Sequence, residues 1–477
     1  MRGREIAPRL ASRTLGVGYV VAPMGAHPHR EFRLVFPEPR APSLARGSRR
    51  DRRAAGMRVA VRIALAQLAL LAPVASWGQA AMQWSGPTVI AEANTVWTRP
   101  TILADARGHV HVLWTDRDAT GQAGKAQKGE ALYHAQWDGR QWSAPAQVVS
   151  KPAHAFCFVF VDATVGSDDE IYAVWSEQSA LYFSRAPTVT AHDPRSWVPP
   201  RRVVQATMVD QSRIVRGPAG RLHVIYARLA SDDGPAGNLF YVASNDGGDT
   251  WSAPLQLSRV GVQEPPVVSV PRLVIDGTGG LHAAWDEPAP PNWISRRILY
   301  ARSQDGGRTW TEPMAMSAAA EGNHNTSPSL VTTGRNTVHL VWGCVGPPTR
   351  CYRVSVDGGK DWSPTQRIFP EFVSMAGWDA LVADARANLH LVAQLRMPYG
   401  MYSAFKPADG AWQRPVRFVG EQAFEDGHFV SAVAVGMDVH AVWQKGPGIG
   451  DVTYARMTQA PKGEARAAQN PPGDAPP

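Results

Sequence analysis

Three eight-residue stretches of this chain read almost alike: SNDGGDTW at Ser244 to Trp251, SQDGGRTW at Ser303 to Trp310, and SVDGGKDW at Ser355 to Trp362. Serine, aspartate, glycine and tryptophan recur at fixed offsets, as Ser244, Asp246, Gly248 and Trp251, as Ser303, Asp305, Gly307 and Trp310, and as Ser355, Asp357, Gly359 and Trp362. A tight turn explains the spacing. Aspartate accepts hydrogen bonds from the amides that follow it, paired glycines adopt the left-handed conformations a short loop needs, and tryptophan pins the returning strand.

A second element recurs around them. The run HVHVLW ending at Trp114 returns as EIYAVW to Trp175, RLHVIY to Tyr226, GLHAAW to Trp285, TVHLVW to Trp342, NLHLVA to Ala393 and DVHAVW to Trp443. Seven copies about 50 to 60 residues apart signal a propeller or solenoid, not a string of unrelated domains. Each unit reads as four antiparallel strands, in the first unit Thr101 to Asp105, His109 to Asp116, Leu132 to Trp137 and Trp142 to Val149, which is what a propeller blade requires. Units one, two and six keep eroded turns, WDGRQW, HDPRSW and ADGAW. The seventh unit lacks its fourth strand, and Gln83 to Ile90, QWSGPTVI, supplies it from the other end of the chain. Such closure removes open sheet edges. The prediction is an all-β propeller of about seven four-stranded blades, with six as the alternative count.

The triplicated turn resembles the Asp-box, or bacterial neuraminidase repeat, of sialidase-like β-propellers. That resemblance implies six blades in the characterised sialidases, structural Asp-boxes on one rim and an active site on the other. It also implies three arginines clamping a carboxylate, a tyrosine nucleophile assisted by a glutamate, and an aspartate as acid and base. Guanidinium forks match carboxylates bidentately, and the tyrosine departs from the usual two-carboxylate pattern of glycosidases. The Arg-Ile-Pro motif that carries the first arginine corresponds here to Trp97-Thr98-Arg99-Pro100-Thr101, without the isoleucine.

Arg99 is thus the one candidate with a motif behind it. Placement near the functional rim adds Asp116 and Arg117, Arg213, Arg228, Asp286 and Glu287, Arg396 and Tyr399, of which Arg99, Asp116, Arg213, Glu287, Arg396 and Tyr399 form the candidate catalytic set. Trp97, Trp293 and Trp378 could stack on sugars or pack loops, and His324 and His428 could move protons. His111, His223, His282, His339, His390 and His440 occupy equivalent positions in six of the seven second strands. Residues related by rotation about the propeller axis point into different blades, so packing, not metal ligation, is expected of them. No nucleotide-binding loop or metal motif is present, and no cofactor is expected.

Residues Met57 to Ala80 read as a secretory signal peptide, with Arg58 and Arg62 ahead of an apolar run too short for a stable membrane anchor. Residues 1–56 read as an unstructured or gene-model extension, 81–459 as the propeller, and 460–477 as a disordered tail. The formal net charge is +8. Residues 1–56 carry twelve Arg against four acidic residues, and the signal segment adds two more Arg, so the mature chain falls to −2. That removes the argument for nucleic acid as a partner. Export places the protein in a periplasmic or extracellular compartment, where Cys344 and Cys351, flanking one hairpin loop, can form a disulfide; Cys157 is expected to be a buried small residue.

Two function classes follow. One is an exported glycoside hydrolase, in its most specific form an exo-sialidase. The other is a non-catalytic propeller binding a glycan, sialylated or not, or a protein. In either case the closed ring is expected to be a monomer with no membrane span in the mature chain.

Overall fold

The computed structural model describes residues 82–92, 99–117, 130–150, 160–177, 180–206, 209–228, 238–258, 269–288, 296–317, 325–344, 349–372, 379–396, 399–420, 428–445 and 450–459. The signal segment, the C-terminal tail, Cys157, Trp97, Trp293, Trp378 and His324 lie outside them, as do the side chains of Arg117, Arg396, Tyr399 and His428.

Seven antiparallel sheets follow one another along the chain, so the ring has seven blades. Blades 1 to 6 each run in sequence order from an inner strand to an outer one. In blade 1 these are β3 (Thr101–Ala104), β4 (Val110–Arg117), β5 (Glu130–Trp137) and β6 (Ala146–Ser150). Blade 7 is made from both ends of the propeller: β27 (His428–Val435), β28 (Asp438–Gln444) and β29 (Val452–Gln459) are completed by β1 (Met82–Trp84) and β2 (Thr88–Ala91). Trp84 pairs with Met457 and Thr88 with Tyr454. Blade 1 differs from expectation at its outer strand, which starts at Ala146, four residues past Trp142, as the outer strands of blades 3, 4 and 5 start four residues past theirs; Trp142 itself makes an isolated bridge to Trp137.

Alternation along the second strands sends apolar residues to both faces, as strands covered on both sides demand. Trp114, Trp175, Trp285, Trp342 and Trp443, near the ends of these strands, are among the largest fully buried side chains. No helix among the described residues is long and apolar enough to cross a membrane.

The repeated turns fasten each blade to the one before. In blade 3, Ser244 Oγ donates to Asp246 Oδ1 (2.7 Å) and accepts from Gly248 N (2.8 Å), while Thr250 N and Oγ1 donate to the same carboxylate at 2.9 and 2.5 Å. Blades 4 and 5 repeat the serine–aspartate and serine–glycine bonds. Burial acts against ionisation of Asp305, yet the Thr309 hydroxyl and amide hold its carboxyl down at about 2. The second glycine of each turn, at φ +94°, +84° and +78° for Gly248, Gly307 and Gly359, lies against an aromatic ring of the preceding blade. A Cβ there would come within 2.1 Å of Phe183, 1.9 Å of Tyr241 and 1.8 Å of Tyr300 respectively. The turn tryptophans meet the same rings edge-on, Trp310 on Tyr241 at 5.4 Å and Trp362 on Tyr300 at 5.0 Å.

The repeated histidines complete this lock from behind. Nδ1 of His223, His282, His339 and His440 lies 2.6–2.8 Å from the hydroxyl of Tyr241, Tyr300, Tyr352 and Tyr454. In blade 1, His134 stands where blades 3, 4, 5 and 7 place tyrosine and bonds His111 at 3.0 Å. Among the described residues no cluster of three or more metal-ligating side chains exists. Burial depresses His111, His223, His339 and His440 to about 4, so all four are neutral at pH 7.

Candidate functional site

The inner strands start on the rim opposite the Asp-box turns and converge on the axis. Strand register identifies which residues share a level. The residues opposite Leu113, Val174, Ile225, Ala284, Val341, Val392 and Val442 are Thr101, Asp162, Arg213, Arg272, Ser329, Ala380 and Ser431, one from each blade. All seven line a single axial cavity of about 340 Å³. In four blades the strand reaches this ring through a register shift, and Val270, Ser327 and Phe429 take φ of +50° to +56° there. Such non-glycine positions are costly and concentrate where a backbone is bent for a site.

Three ring side chains also clasp the next blade. Asp162 Oδ2 accepts from Ile214 N (2.9 Å), Ser329 Oγ from Leu381 N (3.0 Å), and Ser431 Oγ from Ile102 N (3.3 Å). Around them the cavity is charged. Arg213 Nη1 is 3.7 Å from Asp162 Oδ1, while Arg272 occupies the neighbouring ring position. Burial and then the Arg213 charge lower Arg272 to about 9, still cationic at neutral pH. Burial raises the Asp162 carboxyl above its ordinary value against the pull of Arg213.

One residue before the ring, Asp379 is 2 % exposed and takes a two-pronged ion pair from the equally buried Arg350, whose Nη2 lies 3.0 Å from Asp379 Oδ1. Arg350 is flanked by the disulfide Cys344–Cys351, whose Cα atoms are 5.8 Å apart. At the cavity mouth the Arg99 guanidinium lies between two rings, 3.3 Å from the Phe160 centroid and 4.1 Å from that of Phe429. Among the described residues, three arginines and two aspartates thus line the cavity, and Arg350 is paired with one of those aspartates, Asp379.

Of the candidates chosen from sequence, Arg99 and Arg213 come together here. Asp116 is buried at the end of the second strand of blade 1, outside the cavity lining. Glu287 is buried too, ion-paired to Arg297 (2.7 Å) and bonded by Trp285 Nε1 (3.4 Å). Asp286 accepts from Thr326 Oγ1 (2.7 Å) and Ser327 N (3.2 Å), tying blade 4 to blade 5. Arg396 and Tyr399 are backbone partners in the blade 6 hairpin, with side chains outside the described residues, and Arg228 does not line the cavity. Arg272, Asp162 and Asp379 are the cavity residues that placement by loop had missed. Their signal was present in the spacing, since the ring residue precedes its second-strand partner by twelve positions in blades 1 to 6 and by eleven in blade 7.

The fold defines a seven-bladed β-propeller whose triplicated turns resemble bacterial neuraminidase repeats. Consistent with this, residues 180–389 match the family described as a BNR repeat-like domain. No curated protein matches the sequence. Among solved structures, a protein of unknown function from Dyadobacter fermentans aligns over 79 % of this chain and 99 % of its own, at 12 % identity and a TM-score of 0.51. The polysaccharide lyase Uly1 aligns over 78 % and 91 %, at 12 % identity and 0.52. A PL25 ulvan lyase aligns over 77 % and 94 %, at 9 % identity and 0.53. At these identities the likeness establishes the shared fold alone. The NanB sialidase of Streptococcus pneumoniae covers 79 % of this chain at 11 % identity with a TM-score of 0.45, too loose to argue from.

Proposed function

We propose that this protein recognises a glycan bearing an anionic group, which it holds in the axial cavity against Arg99, Arg213 and Arg272. The observation that carries this reading is the convergence of Arg99, Arg213 and Arg272 on one cavity. A carboxylate or sulfate entering such a site meets guanidinium forks, which suit either group. Proteins named as polysaccharide lyases share the fold, which agrees with a carbohydrate ligand without choosing one.

The affinity for an acidic saccharide should fall as pH rises, first as Asp162 ionises and again above about 9 as Arg272 loses its proton. Titration calorimetry of the full chain with 3′-sialyllactose, a glucuronate-ended oligosaccharide and lactose tests the reading. Selective binding of the acidic sugars, weakened roughly ten-fold or more by Arg272→Ala, supports it; equal binding of lactose would refute it.

Exo-sialidase-type hydrolysis is the more specific reading of the same cavity. It is favoured by Asp162, a carboxyl with a raised pKa beside the arginines, as a proton donor requires. Tyr399 would supply the nucleophile and Arg396 the further cation. Release of a fluorogenic sialoside that vanishes in Asp162→Asn and in Tyr399→Phe would support hydrolysis; binding without turnover makes the propeller a non-catalytic receptor. The exported location and monomeric state read from the sequence complete the proposal, with residues 57–80 as the export signal.

A further inference from the structure

A second cavity, of about 360 Å³, lies at the seam where the ring closes, lined by β1, β29 and the shortened turn of blade 1. Its volume falls within the range of small-molecule sites. Its origin is a defect in the repeat. In blades 3, 4 and 5 the turn runs seven positions from serine to tryptophan, and its second glycine covers the aromatic ring of the preceding blade. In blade 1 the corresponding run from Trp137 to Trp142 spans five positions, and its one glycine, Gly139, has nothing within 4 Å of a Cβ. Tyr454 of blade 7, the ring this turn should cover, is left facing the cavity.

What replaces the cover is aromatic. Trp137 stands at the register position held by Ala186, Ser244, Ser303, Ser355, Lys406 and Met457 in the other blades, and no other blade places an aromatic there. Trp137 and Trp142 are both half-buried, 5.8 Å apart and inclined at 49°, with Tyr454 behind them at 5.9 and 4.9 Å. Gln83 and Thr458 add amide and hydroxyl groups to the lining. The cation present, Arg456, is already ion-paired to Asp438 at 2.5 Å.

We propose that this seam cavity is a second carbohydrate site, specific for a neutral pyranose unit of a glycan chain. Indole faces stack on the C–H face of a pyranose, and an amphipathic aromatic wall with polar groups at its edge suits a ligand whose faces and rim differ in the same way. Pairing of Arg456 removes the anion preference that distinguishes the axial cavity, and the two cavities share no lining residue.

The test is binding of the full chain to cellohexaose, maltohexaose and mannohexaose, read by tryptophan fluorescence and calorimetry. At least one should bind, roughly ten-fold more weakly in Trp137→Ala, as loss of an aromatic stacking face implies. Arg99→Ala should bind it unchanged, which separates this site from the axial one. A second variant, in which Trp137 to Trp142 is replaced by the eight residues of Ser244 to Trp251, restores the cover over Tyr454; it should lose the ligand while melting no lower than the parent. Failure of all three sugars to bind, or binding untouched by both variants, would overturn the proposal.

Discussion

The two rims of this propeller are built on opposite principles. On the Asp-box rim, blades 3, 4 and 5 solve one problem with the same residues, serine to aspartate, aspartate to the following amides, and a glycine closed over the neighbour's ring. On the axial rim the equivalent position holds Thr101, Asp162, Arg213, Arg272, Ser329, Ala380 and Ser431, with little in common but their level. Repetition marks a structural task that every blade shares. Divergence at a geometrically equivalent ring is where the charge and the bent backbone collect, and it is there that the proposed ligand would be met.

The largest effect should come where the cavity borders the core. Arg350→Ala leaves Asp379 buried without its cation and should lower stability by about 3–5 kcal/mol, measured by urea unfolding. A smaller loss would mean that water reaches Asp379 from the axis.

Next in size is a contrast within one turn. Gly307→Ala drives a methyl into Tyr241 at positive φ and should cost on the order of 3 kcal/mol, whereas Gly306→Ala, at φ +71° with open space around it, should cost about 1 kcal/mol. Equal melting temperatures for the two variants would break the account of how the turns lock blades together.

Acid should act on the same lock. His111, His223, His339 and His440 are held near 4 in the folded chain against an ordinary value of 6.5, so the unfolded chain takes up protons first as pH falls. Their contribution is complete above pH 6.5 and is lost between 6.5 and about 4. The urea midpoint should drop steadily across that window. Tyr300→Phe, which removes the hydroxyl beside His282, should shift it only slightly, by about 1 kcal/mol.

The blade count, the closing strand and the role of the histidines were legible because they repeat. The period is read from seven imperfect copies, and QWSGPTVI is recognisable as a fourth strand because Trp251-Ser252-Ala253-Pro254 shows what one looks like. The cavity was legible only in part. Arg99 and Arg213 were reached by motif and by placement, but Arg272 was passed over because PRLVI reads as an ordinary strand. Charged residues in rim loops drew attention instead, and Glu287 proved to be tied to Arg297 across its own hairpin. Which charges meet depends on all seven blades curving onto one axis, a long-range fact that no local pattern contains.

The most direct test exchanges one residue set from each rim. Arg213→Ser with Arg272→Ser installs the residue that blades 5 and 7 use at the ring, and Asp305→Asn weakens one turn. Melting temperature and calorimetric affinity for an acidic saccharide are then measured for both proteins. The account predicts that the ring variant melts with the parent and loses the sugar, while the turn variant melts lower and binds it unchanged. A ring variant that keeps its affinity, or a turn variant that loses it while still folded, would contradict the assignment of structure to one rim and recognition to the other.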